Sequence, residues 1–157
     1  MAARRQPGSA FKPFVWLAAL EKGVRPEDPV ADRPITLGSW SPADDDGHYL
    51  GEITVERALA VSSNVTSVRL MLRAGGPRAV LATAHRLGIG DHLPAAPSLA
   101  LGTGEVGLLE LTAAYAPFCN GGLAVTMHGG VAGRGKGAAA RPCPAAPGDH
   151  PREAAMM

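Results

Sequence analysis

Apolar residues fall at helical spacing in several stretches, each stopped by glycine or proline. Phe14 to Lys22 is almost wholly apolar until Lys22 and Gly23 supply a C-terminal stop. Thr54 can cap a helix that runs through about Val61. Val65 to Arg73 predicts a short amphipathic helix closed by Gly75-Gly76. Pro77 suits a first helical turn, so Arg78 to Leu87 follows, closed by Gly88. Glu105 to Asn120 is the longest helical segment and ends at Gly121-Gly122. Its expected core stripe is Leu108, Leu109, Leu111, Tyr115 and Phe118. Pro117 lies inside it and is expected to kink or fray the last turn. Residues 24 to 50, rich in proline and holding three consecutive aspartates, read as loop, as do residues 91 to 98. Pro34 to Leu37 and Ser98 to Leu101 are the best strand signals, and both are short. The pattern predicts one mostly helical unit.

Composition changes that picture at one place. Residues 127 to 157 contain no Leu, Ile, Phe, Tyr or Trp and only one Val. Such a stretch cannot bury enough apolar surface to offset its ordering entropy. The expected division is therefore a unit over 1–126 and a disordered or frameshifted tail over 127–157. The length of 157 residues allows one modest domain or a piece of a larger one.

Charge and titratable residues exclude several classes. Lys+Arg 15 against Asp+Glu 14 gives net +1, too little for a nucleic-acid-binding face. The five histidines include no i, i+4 pair, so spacing gives no zinc site. Cys119 and Cys143 form neither a C-x-x-C pair nor a disulfide framework. Cys119 is expected to be a small buried hydrophobe, and Cys143 an exposed thiol. The longest apolar run, Phe14 to Leu20, is far short of the roughly 20 residues that span a bilayer. No signal peptide opens the sequence, so no export route of its own is expected.

Two motif-like stretches fail on context. Gly102-Thr103-Gly104-Glu105-Val106-Gly107 matches G-x-G-x-x-G, but no full strand precedes it and no acidic residue lies between 111 and 148. Its glycines are expected to shape a turn into the following helix. Asp44-Asp45-Asp46-Gly47 hints at a calcium loop, but Pro42 and Ile53 fall at ligand positions, leaving a solvated acidic turn.

The candidate chemistry starts at Ser9-Ala10-Phe11-Lys12. Ser and Lys three apart on a helix share a face, with Cβ atoms roughly 5–6 Å apart. An amine one turn away can then activate a hydroxyl that is otherwise a poor nucleophile. The head of a helix also favours developing negative charge. Gly8 lets the chain turn tightly into that helix. The second element is Ser62-Ser63-Asn64, where a hydroxyl and a carboxamide can face one cleft. Taken alone, each is common: S-x-x-K arises readily by chance, and Ser and Asn are ordinary turn residues.

Order and context make them specific. Arg5-Gln6-Pro7-Gly8-Ser9-Ala10-Phe11-Lys12-Pro13 resembles the nucleophile segment of class A penicillin-binding proteins, the bifunctional peptidoglycan synthases. Trp40-Ser41-Pro42 with Asp46-Gly47, Tyr49 and Gly51 is similar to the loop that follows. Thr54 to Asn64 resembles the family's T-x-x-x-A-L-x-x-S-x-N. Ser98 to Gly102 and Glu105 to Gly122 resemble its last helical part. The likeness runs in unbroken order over residues 4 to 125.

The resemblance implies an α/β fold of the serine β-lactamase/D,D-transpeptidase type, of which this chain holds mainly the helical part. It implies peptidoglycan cross-linking: Ser9 would attack the D-Ala-D-Ala carbonyl of a stem peptide, and Lys12 would take its proton. Ser62 would relay a proton to the leaving D-alanine, and Asn64 would hold the substrate backbone. Stem peptides and β-lactams are the implied partners, with no metal or organic cofactor. The implied location is the periplasmic, outer face of the inner membrane. The wider set includes a Lys-Thr-Gly strand. No Lys-Thr-Gly occurs here, and Gly135-Lys136-Gly137 is a poor substitute. The glycosyltransferase domain, membrane anchor and early strands are also expected to be missing, so the chain alone is expected to be inactive or nearly so. Asp44 stands where the family often has Asn. Alternatives are a non-catalytic remnant, a cell-wall interaction module, or a class A-like β-lactamase. A class A β-lactamase would carry Asp at the Ser63 position and a deacylating glutamate.

Overall fold

The computed structural model describes residues 3–44, 47–90 and 92–125, with the backbone of Arg141–Pro142. At its centre is α1, Lys12–Leu20, in which every residue except Pro13 is buried. A helix apolar all round must be enclosed on all sides. Three further helices do the enclosing: α2 (Val55–Ala60), α3 (Asn64–Arg73) and α4 (Pro77–Arg86). Phe11, Phe14, Trp16, Leu70, Met71 and Ile89 fill the space between them. Each large apolar side chain so buried contributes about 1.5–3 kcal/mol. Trp16 also needs a partner for its indole N–H, and donates to Val55 O at 3.1 Å.

α1 starts earlier than the apolar pattern predicts. A 3-10 helix over Gly8–Phe11 leads directly into it, and Pro13 occupies the first turn, where a missing N–H costs nothing. Thr54 caps α2 as expected, accepting from Arg57 N at 3.1 Å.

The strand expectations fail on both sides. Residues 24 to 50 are not all loop: β2, Pro29–Asp32, pairs antiparallel with β3, Gly51–Thr54, in the register Pro29↔Thr54 to Asp32↔Gly51. Proline is tolerated there because it is the first residue of the strand. Pro34 to Leu37 contributes only an isolated bridge from Leu37 to Trp40. Ser98 to Leu101 belongs to a 3-10 turn, Pro97–Leu101, which Pro97 starts and Gly102 ends in the left-handed region. Two small ribbons remain. β1, Arg4–Arg5, pairs with β4, Val106–Gly107; β5, Leu123–Ala124, pairs with β6, Arg141–Pro142. Apart from that pair, the expected tail over 127–157, with Cys143, lies outside the described residues.

The last helix, α5, spans Leu108–Cys119 and carries Pro117 inside it, ending two residues later. Phe14, Tyr115 and Phe118 form a ring cluster with centroids 5.6 to 5.8 Å apart, which seats α5 on α1. The expected core stripe is only partly right. Leu111, Tyr115 and Phe118 pack against the core, whereas Leu108 and Leu109 are 75% and 60% exposed. Cys119 is exposed rather than buried, because it points away from that single packed face.

Candidate active site

The site begins with a backbone-on-backbone seat. Gly8, at φ +56°, turns the chain into the 3-10 helix and donates its N–H to Gly102 O at 3.2 Å. Gly102 is itself left-handed, and a Cβ there would run into the Gly8 carbonyl. Only two glycines allow this approach. Tyr115 O–H braces the next turn by donating to Ala10 O at 2.5 Å, and burial pushes its phenol pKa up. Ser9 is thereby held at the exposed surface of this turn. Lys12 lies one turn on, its N–H donating to Ser9 O.

Lys12 points inward and is 2% exposed. Its Nζ donates to Ser62 Oγ at 2.9 Å, to Asn64 Oδ1 at 2.8 Å, and to Ser62 O. Three acceptors match the three N–H bonds of an ammonium. Burying such a group costs several kcal/mol, and full pairing is what offsets it.

The partner turn is held as firmly. α2 ends with Ser62 N–H returning to Leu59 O at 2.9 Å and Ser63 N–H to Ala58 O at 3.1 Å. This double return is the Schellman closure, whose first residue past the cap is left-handed and usually glycine. Here that residue is Ser62, the one non-glycine with positive φ (+56°) among the described residues. Ser63 Oγ caps α3 by accepting from Thr66 N at 3.1 Å, and donates to Asp32 Oδ1 at 2.6 Å. Asp32 Oδ2 accepts Leu50 N–H at 2.7 Å. Asn64 Nδ2 donates to Ala43 O at 2.9 Å, which turns Asn64 Oδ1 toward Lys12. Asn64 N–H donates to Asp44 Oδ1.

Asp32, Asp44, His48, Arg57, Ser62 and Ser63 line a cavity of about 380 Å³ behind this turn. Burial raises the Asp44 pKa; the Asn64 and Val65 N–H groups oppose the rise, and the Asp32 carboxylate adds to it. Asp44 is thus half-buried and structural, not part of a solvated acidic turn; Asp45 and Asp46 lie outside the described residues. Glu110 fastens the far side. Burial pushes its pKa up, but the N–H groups of Gly90 at 2.5 Å and Gly107 at 3.1 Å outweigh that and leave it lowered.

The structure therefore brings Lys12, Ser62 and Asn64 into direct contact and places Ser9 one turn before Lys12. The sequence pattern missed Asp32 and the inward role of Asp44. An isolated acidic residue beside an apolar alternation, Val30 buried and Asp32 buried on one strand face, is the signal that would have found the first. Chemically, the arrangement offers a hydroxyl at a turn, an amine behind it, and a second hydroxyl and a carboxamide touching that amine. That set suits acyl transfer through a serine.

Comparison with known proteins points the same way. Residues 1–130 match the family described as the penicillin binding protein transpeptidase domain. Penicillin-binding protein 1A of Neisseria cinerea is 44% identical over 138 residues, which is 80% of this chain and 17% of the relative. The crystal structure of penicillin-binding protein 1A from Haemophilus influenzae superposes with TM-score 0.76 at 32% identity, covering 80% of this chain and 20% of that one. PonA1 from Mycobacterium tuberculosis, solved in complex with penicillin V, gives 0.74 at 30% identity, covering 78% and 37%. The chain thus spans about one-sixth of the length of its curated relatives.

Proposed function

We propose, from the premise that this chain belongs to the penicillin-binding protein transpeptidase family, that it carries the acyl-transfer part of a serine D,D-transpeptidase site. The single observation that supports this most is Lys12 Nζ in contact with both Ser62 and Asn64, one turn beyond Ser9. Ser9 Oγ attacks the carbonyl carbon between the two terminal D-alanines of a stem peptide. Lys12, once its ammonium has given up one proton, takes the hydroxyl proton. Ser62 Oγ hands a proton to the departing D-alanine nitrogen as the peptide bond breaks, and Lys12 replenishes Ser62. Asn64 holds the substrate backbone. The Ser9 ester is then opened by an amine of a neighbouring stem peptide, which regenerates the hydroxyl. A β-lactam enters the same first step and stays as the Ser9 ester. The reaction belongs on the periplasmic face of the inner membrane. Among the described residues no helix is long and apolar enough to cross a membrane.

The chain alone turns over little, since no Lys-Thr-Gly occurs in it to anchor the substrate carboxylate. Losing a single oxyanion donor lowers acyl-transfer rates by roughly 10²–10³. The test replaces the matching segment of the Neisseria cinerea relative with residues 4–125 of this chain and exposes the graft to a fluorescent penicillin. Labelling at Ser9, abolished by Ser9→Ala and at least about 10²-fold faster than in the isolated chain, is expected. Labelling that survives Ser9→Ala overturns the assignment.

A further inference from the structure

The Ser62–Asn64 turn carries the proton relay and the amide of the proposed site, and two aspartates grip it from behind. Asp32 lies on β2, is 1% exposed, and accepts from Ser63 Oγ and Leu50 N. Asp44 comes from the loop before Gly47 and accepts the Asn64 N–H through Oδ1. Both carboxyls line the same cavity. Asp44 Oδ2 is shut off from water and has no hydrogen-bond donor among the described residues. An acceptor-only oxygen buried without a donor is costly, and two facing carboxylates repel. One proton between the two carboxyls removes both penalties at once. Such a proton gives Asp44 Oδ2 its missing partner and leaves every other bond in place.

We propose that Asp32 and Asp44 are positioning residues, a carboxyl pair sharing a single proton that keeps the Ser62–Asn64 turn seated against Lys12. The proposal rests on the site reading above for its functional meaning, but not for its geometry. The raised pKa of Asp44 agrees with it. Among the described residues, the other charged or titratable groups facing the pair are His48 and Arg57, which line the cavity, and Lys12 beyond Asn64. Both Arg57 and Lys12 favour ionised carboxyls and so set an upper limit to the rise. When the pair loses its proton, Asp44 and Asp32 separate, and the Asn64 N–H loses its fixed acceptor.

The test uses the full chain. Carbon-13 NMR is expected to show the Asp44 carboxyl step displaced above the ordinary carboxylate range, with the Asp32 carboxyl resonance responding to that same step. The Asn64 amide resonance shifts with the midpoint of that step. A carboxyl whose folded pKa exceeds its unfolded value binds its proton more tightly in the fold. Its contribution to stability is therefore present at low pH and lost as pH rises through the folded value. The Tm of the wild type accordingly falls through that window relative to Asp44→Asn, whose amide donates to Asp32 at every pH. If Asp44→Asn fails to fold, the carboxyl and Asn64 amide resonances of the wild type decide alone. A single Asp44 step near the ordinary 3.8, with an Asn64 amide that ignores it, overturns the proposal. In the penicillin-binding graft, Ser9 labelling is expected to decline with the same midpoint, and Asp44→Asn to remove that decline. Coupled titration without any labelling keeps the pair and counts against the reaction; labelling without coupled titration sinks the pair alone.

Discussion

Helices α2, α3 and α4 end in the same way with different residues, as α1 does on Gly23. α3 and α4 close on Gly75 and Gly88, each left-handed, with the following residue returning its N–H to Met71 O and Ala84 O respectively. α2 closes with the same two backbone bonds, but its left-handed residue is Ser62. A left-handed residue with a Cβ costs about 1–2 kcal/mol. Where a helix end serves only to turn the chain, glycine avoids that cost. At α2 the position must present a hydroxyl to Lys12, and glycine has none. The strain is outweighed locally: hydrogen bonds to a charged group contribute about 1.5–3 kcal/mol each, and Lys12 makes two to Ser62 and one to Asn64. Strain of this kind persists only where neighbouring bonds over-determine it.

The strongest way to break the contrast is Lys12→Met, which keeps the length of the side chain and removes all three donors. Ser62 O, Ser62 Oγ and Asn64 Oδ1 then lose them together, and urea denaturation is expected to show a loss of about 3 kcal/mol or more. A loss near zero would mean that the left-handed serine is held by something else. Next in size is the reverse experiment, Gly75→Ser and Gly88→Ser. A Cβ at Gly88 meets nothing within 4 Å and one at Gly75 only Ala79 Cβ at 3.6 Å, so the change isolates backbone strain. Each is expected to cost about 1–2 kcal/mol in the same measurement. The smallest effect belongs to Ser62→Gly. Relief of strain and loss of the Lys12–Ser62 Oγ bond oppose each other, so the unfolding free energy is expected to stay within about 1 kcal/mol, while Ser9 labelling in the graft collapses.

The same local rules explain what the sequence made legible. Helix starts and stops were readable because caps and left-handed glycines act within a few residues: Thr54, Gly75 and Gly88 all sit where the pattern placed them. Ser9, Lys12, Ser62 and Asn64 were readable as candidates from the family resemblance of the segments that hold them. What stayed hidden depends on partners far away in sequence. Pro29–Asp32 becomes a strand only because Gly51–Thr54 pairs with it. Asp32 becomes structural only because Ser63, 31 residues on, donates to it. Leu108 and Leu109 looked like core because periodicity reports a face, not whether anything covers it. Pro117 was readable as a residue of the last turn, and helix α5 ends two residues after it, at Cys119.

The seat of Ser9 has a temporal side. Gly8 docks on Gly102, so residues far apart along the chain must meet before the turn that carries Ser9 is fixed. Contacts of such long sequence separation close late in folding. On the ribosome, where a chain emerges from its N-terminal side first, the serine is exposed to solvent long before the segment that shapes its surroundings has been synthesised. The turn that carries Ser9 thus takes its final shape only when the helical layer is complete.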